Sequence, residues 1–188
     1  MPRLRAGSLL ISQPFLGDPN FERSVVLLCQ HTGADGSFGL VLNRLSTLHL
    51  ADVLELPVPA DSPVARLPLY LGGPVQPDTL HYLHQQPSVP GAVALGQGVY
   101  WGGDFQELLG RLLSGELAPE AVRFYAGYSG WTGGQLGGEI GEAVWIVFPD
   151  AAGKVFTLNP EAFWQAVLRE KGGRYRALSN YPIDPRLN

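Results

Sequence analysis

The sequence has a single cysteine, Cys29, and no apolar run longer than residues 143–148. One cysteine excludes a disulfide within the chain, which is typical of proteins from a reducing compartment. The run 143–148 is far too short to span a membrane, which takes about 20 residues. The apolar stretch 9–11 near the start is also too short for a secretion signal. We therefore expect a cytoplasmic protein with no membrane segment.

Charge is also scarce, since Asp, Glu, Lys and Arg make up 16% of the residues and the formal net charge is −4. A negative charge opposes attraction to a phosphate backbone, and no run of Lys or Arg offsets it, so direct DNA binding is not expected. His81 and His84 have no acidic or thiol partner at a spacing typical of zinc sites, and glycine-rich nucleotide motifs are missing. We expect neither a metal nor a cofactor.

Glycine and proline are abundant, with 24 and 16 residues respectively. A disordered chain would lack apolar side chains, but 45% of this chain is hydrophobic and 10% is aromatic. The glycines and prolines therefore predict many tight turns in a compact fold. A chain of 188 residues is expected to form a single domain over residues 1–188.

Short apolar segments separated by turn residues predict most of the strands. The continuous β-branched and apolar run 24–29 predicts a strand buried on both faces, in a hairpin with residues 38–43. Residues 155–158 are expected to pair with residues 143–148 across a short loop. Such close spacing leaves no room for helical crossovers, which favours an α+β fold with a mainly antiparallel or mixed sheet.

Three segments predict helices. The clearest begins after Asp104 and ends near Gly115, with apolar residues on one stripe at the helical period. A second begins at Asn159 and ends near Gly172, where glycine can end a helix. Residues 48–54 predict a third, short helix. The helices are therefore few, as expected for a fold dominated by strands.

Two arrangements have some features of a nucleophile site. Residues 127–131 place Ser129 between glycines, but Trp131 replaces the last glycine of a hydrolase elbow, and every histidine precedes this serine. That order argues strongly against this class of hydrolase. Cys29 and His31 are two residues apart, which on a strand places both on one side. A reactive cysteine–histidine pair and an inert buried cysteine stay as alternatives.

Short segments rich in glycine, polar and aromatic residues recur along most of the chain. They are residues 7–12, 18–21, 23–26, 29–31, 39–44, 72–75, 127–131 and 134–136. In sequence and order they resemble the YqgE/AlgH family of bacterial proteins. The resemblance implies a bifurcated sheet curled into a pseudo-barrel with a few flanking helices. Two departures are Leu45, where the family usually has proline, and Gly137, where it commonly has glutamate.

One branch of the family is named as a transcriptional regulator of alginate production. Two functional hypotheses follow for this chain. The first hypothesis is a non-enzymatic cytoplasmic regulatory or adaptor protein that acts by contact with a protein partner. The alternative is a small-ligand-binding protein or an unrecognised enzyme, with a site where the Asn43-Arg44 turn meets the glycine-rich segment 127–141. The candidate site residues are Asp18, Arg23, Asn43, Arg44, Tyr128, Trp131, Gln135 and Glu139.

Each candidate residue has a functional and a structural interpretation. In a ligand site, the arginines would hold an anion and the aromatic side chains would stack on a flat ring. Gln135 and Glu139 would then form hydrogen bonds to the ligand. In the structural interpretation, Asp18, Arg23, Asn43 and Glu139 belong to a polar network that satisfies backbone groups in turns. The resemblance carries no established catalytic residue to this chain.

Overall fold

The computed structural model describes residues 4–183, which form one large sheet flanked by helices. Its ten strands are β1 (Leu9–Ser12), β2 (Val25–Thr32), β3 (Gly36–Val41), β4 (Leu45–His49), β5 (Pro68–Leu71), β6 (Val75–His84), β7 (Val93–Gly96), β8 (Val99–Trp101), β9 (Val122–Trp131) and β10 (Trp145–Phe148). Only β5 and β9 pair in parallel; the other pairs of described strands are antiparallel. The predicted α+β fold with a mainly antiparallel sheet is confirmed.

The described residues form five α-helices. They are α1 (Leu50–Val53), α2 (Phe105–Ser114), α3 (Gln135–Gly141), α4 (Phe163–Lys171) and α5 (Gly173–Leu178). Asp104 Oδ1 accepts a hydrogen bond from the backbone N–H of Glu107 at 3.0 Å, and Gly115 adopts the left-handed conformation, so both predicted ends of α2 are confirmed. Asn159 caps the 3₁₀ turn that leads into α4. Within residues 4–183, none of the helices combines the length and apolarity that a membrane crossing requires.

The strands β1 and β2 are buried on both faces, as the run 24–29 predicts. Alternate residues contribute to two different parts of the core, because side chains in a strand alternate between faces. Leu9 and Leu27 pack in the cluster that contains α4, whereas Leu10 and Val26 pack with Trp131 on the other face. The hairpin of β2 with β3 is confirmed, and a β-bulge lies between Leu28 and Gln30 of β2. Both faces of this hairpin are therefore part of the core.

Strand β9 lies where the sheet divides. One edge of β9 pairs with β6 over most of its length. The other edge pairs first with β5, at Phe124 and its neighbours, and then with β3, at Ser129 to Trp131. The strands β3 and β5 diverge at Gly72, whose carbonyl oxygen accepts a hydrogen bond from Val41 N–H at 2.9 Å. This division produces the two branches of the sheet.

The sheet curls so that its two ends approach each other without closing. In the described residues, β10 and β7 end the strand order and do not pair with each other. The approach is close, because a Cβ atom on Gly7 would lie 2.0 Å from the carbonyl oxygen of Leu95 in β7. The side chain of Gln97, in the turn after β7, donates to the Asp150 carbonyl at 2.6 Å and accepts from Gly153 N–H at 2.9 Å. Side-chain hydrogen bonds thus join the two ends where a strand ladder would close a barrel.

The predicted short helix 48–54 is present with a later start, and one predicted strand is wrong. Residues 48–49 belong to β4, which pairs with β5, and the single turn α1 begins at Leu50 with His49 as its N-cap, whose N–H donates to Asp52 Oδ2. Residues 155–158 follow β10 as a 3₁₀ turn, Ala152–Phe156, instead of a strand. The Gln97 hydrogen bonds hold this segment at the other end of the sheet, and Val155 is buried in the core.

The glycine-rich segment 127–141, whose glycine content predicts a loop, is mostly regular secondary structure. Its first residues complete β9, and its last residues form α3. Gly134 starts this helix in the left-handed conformation (φ 80°), so glycine serves here to turn the chain from strand to helix. Residues 179–188, whose two prolines predict an extended tail, lie partly outside the described residues.

Replacing Gly127 by alanine is expected to destabilise the fold strongly. Gly127 has φ +66°, and an added Cβ would lie 2.7 Å from the Gly73 carbonyl oxygen. Strain and overpacking together should lower the free energy of unfolding by about 2–4 kcal/mol. Urea unfolding measures the change.

Gly137→Ala is the matched control, because no other atom lies within 4 Å of its added Cβ and the residue is inside α3. Alanine there should raise the free energy of unfolding by up to about 1 kcal/mol. Equal effects of the two substitutions would contradict the role assigned to Gly127.

Candidate functional site

The predicted site residues lie in three separate places, and the first is a polar network beside the start of β2. Asn43 Oδ1 accepts a hydrogen bond from Val25 N–H at 2.9 Å, and its Nδ2 donates to the Arg23 carbonyl at 2.8 Å. Arg44 Nη2 donates to the Glu22 carbonyl at 2.9 Å. Asn43 and Arg44 thus hold the segment that enters β2, as the structural interpretation predicts.

Arg23 holds the opposite end of the chain. Its backbone has a positive φ of 50°, and its guanidinium lies 4.7 Å from the centre of the Trp164 ring. Nη2 donates to the carbonyl oxygens of Tyr181 and Pro182. The guanidinium is therefore engaged with the segment after α5, and the structure does not bring it together with the glycine-rich segment.

The second place is a cavity of about 260 Å³ between the end of β9, α3 and the start of β10. We call it the tryptophan cavity; it is lined by Asp18, Phe21, Trp131, Gln135, Glu139 and Trp145, among others. Four of the eight predicted residues therefore come together here. Phe21 and Trp145 were not predicted, although Phe21 belongs to one of the segments that carry the family resemblance.

A carboxylate organises the tryptophan cavity. Glu139 Oε2 accepts hydrogen bonds from the indole N–H groups of Trp131 at 2.8 Å and Trp145 at 2.7 Å. Its other oxygen, Oε1, accepts from Gln135 Nε2 at 3.0 Å. Gln135 and Glu139 are four residues apart on α3, which places them on one face of the helix. Phe21 completes the wall, with its ring centre 5.6 Å from that of Trp145.

Asp18 lies at the same cavity and also shapes a turn. Its Oδ1 accepts a hydrogen bond from Asn20 N–H at 2.9 Å, and its carbonyl oxygen accepts from Phe21 N–H at 3.0 Å. The chain turns here, as the sequence Asp18-Pro19-Asn20 indicates. Asp18 therefore positions Phe21 while its side chain lines the cavity.

Tyr128 occupies the third place, inside the curled sheet. Its ring stacks on Phe38 with centres 4.6 Å apart and meets the edge of His81 at 5.7 Å. Burial lowers the pKa of His81, which favours the neutral imidazole in this aromatic cluster. Tyr128 and Trp131 are three positions apart on β9, so they face opposite sides of the strand. Tyr128 therefore does not contribute to the tryptophan cavity.

The serine and cysteine considered as nucleophiles are buried in structural positions. Ser129 is fully buried and its Oγ donates to the Gly72 carbonyl at 3.0 Å. Burial raises the pKa of the Cys29 thiol, which disfavours the reactive thiolate. The expectation that His31 lies beside Cys29 is wrong, because the bulge in β2 interrupts the alternation of side chains. His31 Nδ1 instead forms a hydrogen bond with Ser37 Oγ at 2.7 Å.

The imidazole of His84 is held by backbone groups on both sides. Nε2 lies 2.8 Å from the Gly102 carbonyl oxygen, and Nδ1 accepts from the Gln86 N–H at 3.2 Å. Burial lowers the pKa of His84, so the neutral ring with its proton on Nε2 satisfies both contacts. This ring therefore stabilises the end of β6.

The sequence and fold are similar to those of known proteins. A family model described as AlgH-like matches residues 9–176. The chain belongs to the AlgH-like family. A UPF0301 protein from Cytophaga hutchinsonii is 45% identical over 187 residues, which cover 98% of this chain and 100% of that protein. A UPF0301 protein from Bacteroides thetaiotaomicron is 37% identical over 182 residues, which cover 97% of this chain and 90% of that protein.

Two solved structures have the same fold. The solution structure of AlgH from Pseudomonas aeruginosa superposes with a TM-score of 0.75 at 31% identity, over 97% of this chain and 96% of AlgH. A crystal structure of a protein from Corynebacterium diphtheriae has a TM-score of 0.75 at 23% identity, over 95% of this chain and 93% of the other. The predicted family and fold are confirmed, and the biochemical function of this family is unknown.

Removing the carboxylate of Glu139 is expected to destabilise the tryptophan cavity. Glu139→Ala leaves two partly buried indole N–H groups without their acceptor. The free energy of unfolding should fall by about 2 kcal/mol, and the indole N–H resonances of Trp131 and Trp145 should shift in an NMR spectrum. Glu142→Ala, at an exposed position of the same segment, is the control and should change stability by less than about 0.5 kcal/mol. Matching effects of the two variants would refute this role.

Proposed function

We propose that this AlgH-like protein is a non-enzymatic cytoplasmic regulatory or adaptor protein that acts by contact with a protein partner. The observation that carries the proposal is an exposed apolar edge of the sheet, formed by β4 and its surroundings. We call this surface the β4 edge; its large apolar side chains are Leu45, Leu48, Val53 and Leu71, each at least 44% exposed. The burial of Cys29 and Ser129 supports the non-enzymatic part of the proposal.

The backbone of β4 is available to a further strand. Within the described residues, β4 pairs only with β5, so its other edge faces no strand. Leu48 N–H donates to Ser46 Oγ at 3.0 Å and His49 N–H donates to Asp52 Oδ2 at 2.7 Å, so the edge is available in its first part, residues 45–47. Soluble proteins usually protect such an edge with lysine, proline or inward-pointing charges. The sequence of β4, Leu-Ser-Thr-Leu-His, contains none of these residues. An edge of this kind suits an extended partner segment that adds a strand to the sheet.

The charges around the β4 edge indicate the chemistry of the partner. Between Arg44 and Arg66 the sequence has three acidic residues, Asp52, Glu55 and Asp61, and no Lys or Arg. A complementary partner segment would alternate apolar residues with basic ones, since opposite charges across an interface favour encounter and register. We therefore propose an extended, basic and apolar segment of another protein as the occupant.

Site-specific photo-cross-linking in cells of the source organism tests this contact. A photoreactive residue at Leu48 should cross-link a discrete protein through a segment that contains Lys or Arg. The same probe at Val93, which is equally exposed at 44% on β7, is the matched control and should not capture it. Leu45→Lys should abolish the cross-link from position 48, because it places a positive charge next to the basic partner segment. Equal capture from both positions, capture unaffected by Leu45→Lys, or no capture would overturn the proposal.

A second candidate is binding of a small ligand in the tryptophan cavity, where four predicted residues converge. A flat ligand could stack on Phe21 and hydrogen-bond with Asp18 or Gln135, both of which line the cavity. The two indole N–H groups, Glu139 and one N–H of Gln135 are already bonded to one another, so they define the shape of the cavity. Asp18 Oδ1 accepts from Asn20 N–H, and Gln135 Oε1 accepts from Thr132 N–H. Asp18 Oδ2 and the second Nε2–H of Gln135 are left for the ligand.

A thermal-shift screen against nucleotides and metabolites tests the second candidate. A ligand at 100 times its dissociation constant stabilises the fold by about 2.7 kcal/mol and raises the melting temperature. Gln135→Ala should remove the shift, whereas Gln106→Ala, another exposed helical glutamine, should leave it unchanged. A screen with no stabilising compound, or with compounds insensitive to Gln135→Ala, would exclude binding in this cavity.

A further inference from the structure

A second, larger cavity lies where β5 meets the start of β9, and no predicted site residue belongs to it. Its volume is about 410 Å³, and its walls include Arg66, Tyr70, Glu120, Arg123 and Phe156. We call it the arginine cavity. This volume falls in the range of about 300–1,000 Å³ that is typical of sites for small organic ligands.

The two arginines of this cavity are not tied to backbone carbonyl groups in the way that Arg23 and Arg44 are. Arg23 and Arg44 donate from Nη2 to backbone carbonyl groups. In contrast, the side chains of Arg66 and Arg123 form no hydrogen bond to a backbone carbonyl and no ion pair within residues 4–183, and Arg123 lies beside the hydroxyl of Tyr125. Nη1 of Arg123 is buried without a hydrogen-bond partner in this part of the chain, as is Nε of Arg23 and of Arg44. Leaving a charged donor unsatisfied in this way is costly in free energy.

Arg123 is held in place by aromatic rings. Its guanidinium lies 5.6 Å from the ring centre of Tyr70 and 5.7 Å from that of Phe156. Contacts of this kind attract the cation to the faces of the aromatic rings. The N–H groups, which lie in the plane of the guanidinium, stay free to donate. The inner wall therefore carries a fixed positive charge.

The remaining walls are apolar, apart from one carboxylate. Leu67, Pro68, Pro119 and Val122 contribute hydrocarbon surface. Glu120 is exposed and forms no ion pair with either arginine within residues 4–183, so two positive charges face one negative charge in the cavity. A ligand that complements these walls has an anionic group at one end and a flat apolar body.

We propose that the arginine cavity binds a small organic anion, a carboxylate or phosphate carried on a flat aromatic ring. The oxyanion would accept hydrogen bonds from the guanidinium groups of Arg66 and Arg123, whose planar forks match carboxylate and phosphate geometry. The ring would lie against Tyr70 and the proline walls. This ligand site goes beyond the proposed protein contact and does not depend on it.

Binding of three simple probes to the full chain tests the site. The probes are benzoate, phenyl phosphate and the neutral benzamide, titrated by calorimetry and by NMR of the arginine Nε–H groups. Benzoate or phenyl phosphate should bind saturably, shift the signals of Arg66 and Arg123, and bind at least about tenfold more tightly than benzamide, because a charged hydrogen-bond pair is lost with the neutral probe. The stronger of the two anions identifies the carboxylate or the phosphate as the preferred group.

Variants show whether binding depends on this cavity. Arg66→Gln changes an exposed side chain, so the fold should be kept while anion affinity falls at least about fivefold. Arg169→Gln removes one positive charge from an exposed position on α4 and should change the affinity by less than about twofold. Arg123→Lys keeps the charge without the planar fork and should also weaken binding. Equal affinity for benzamide, insensitivity to Arg66→Gln, or no saturable binding at millimolar probe concentrations would overturn the proposal.

Discussion

Each edge of a β-strand can hydrogen-bond to one neighbour at a time, and this limit shapes the structure around β9. One edge of β9 is occupied by β6, and the other is shared by β5 at Phe124 and by β3 at Ser129. The two partners must therefore separate along β9. The backbones of residues 72–73 and 127 meet at this point, where Gly127 has a positive φ and an added Cβ would be 2.7 Å from the Gly73 carbonyl oxygen. The bifurcated sheet depends on this close approach.

The divided strand also distributes side chains to three different environments. Arg123, near the start of β9, lines the arginine cavity, and Trp131, at its end, lines the tryptophan cavity. Tyr128 lies between them in an aromatic cluster with Phe38 and His81. A change that moves β9 would therefore affect both cavities together. This is why Gly127, although it lines neither cavity, matters for any function that they have.

The arginines show why residue type alone is a poor guide to a binding site in this chain. Arg23 and Arg44 lie in segments that carry the family resemblance, and both proved to hold backbone segments through their guanidinium groups. No sequence motif contains Arg66 or Arg123, but the fold places both beside an open apolar cavity. The difference lies in which carbonyl groups come within about 3 Å, and those groups belong to distant parts of the chain.

Local physical chemistry determined the elements that the sequence alone predicted. The hairpin of β2 with β3, the cap at Asp104 and the left-handed end at Gly115 each depend on residues close together in the chain. Tertiary contacts decided the rest. Pairing with β5 made a strand of β4, hydrogen bonds from Gln97 made residues 152–156 a 3₁₀ turn, and packing of α3 brought Glu139 to Trp145 and Asp18. Such contacts join residues that are far apart along the chain, so their hydrogen bonds and buried area appear only when the sheet divides and curls.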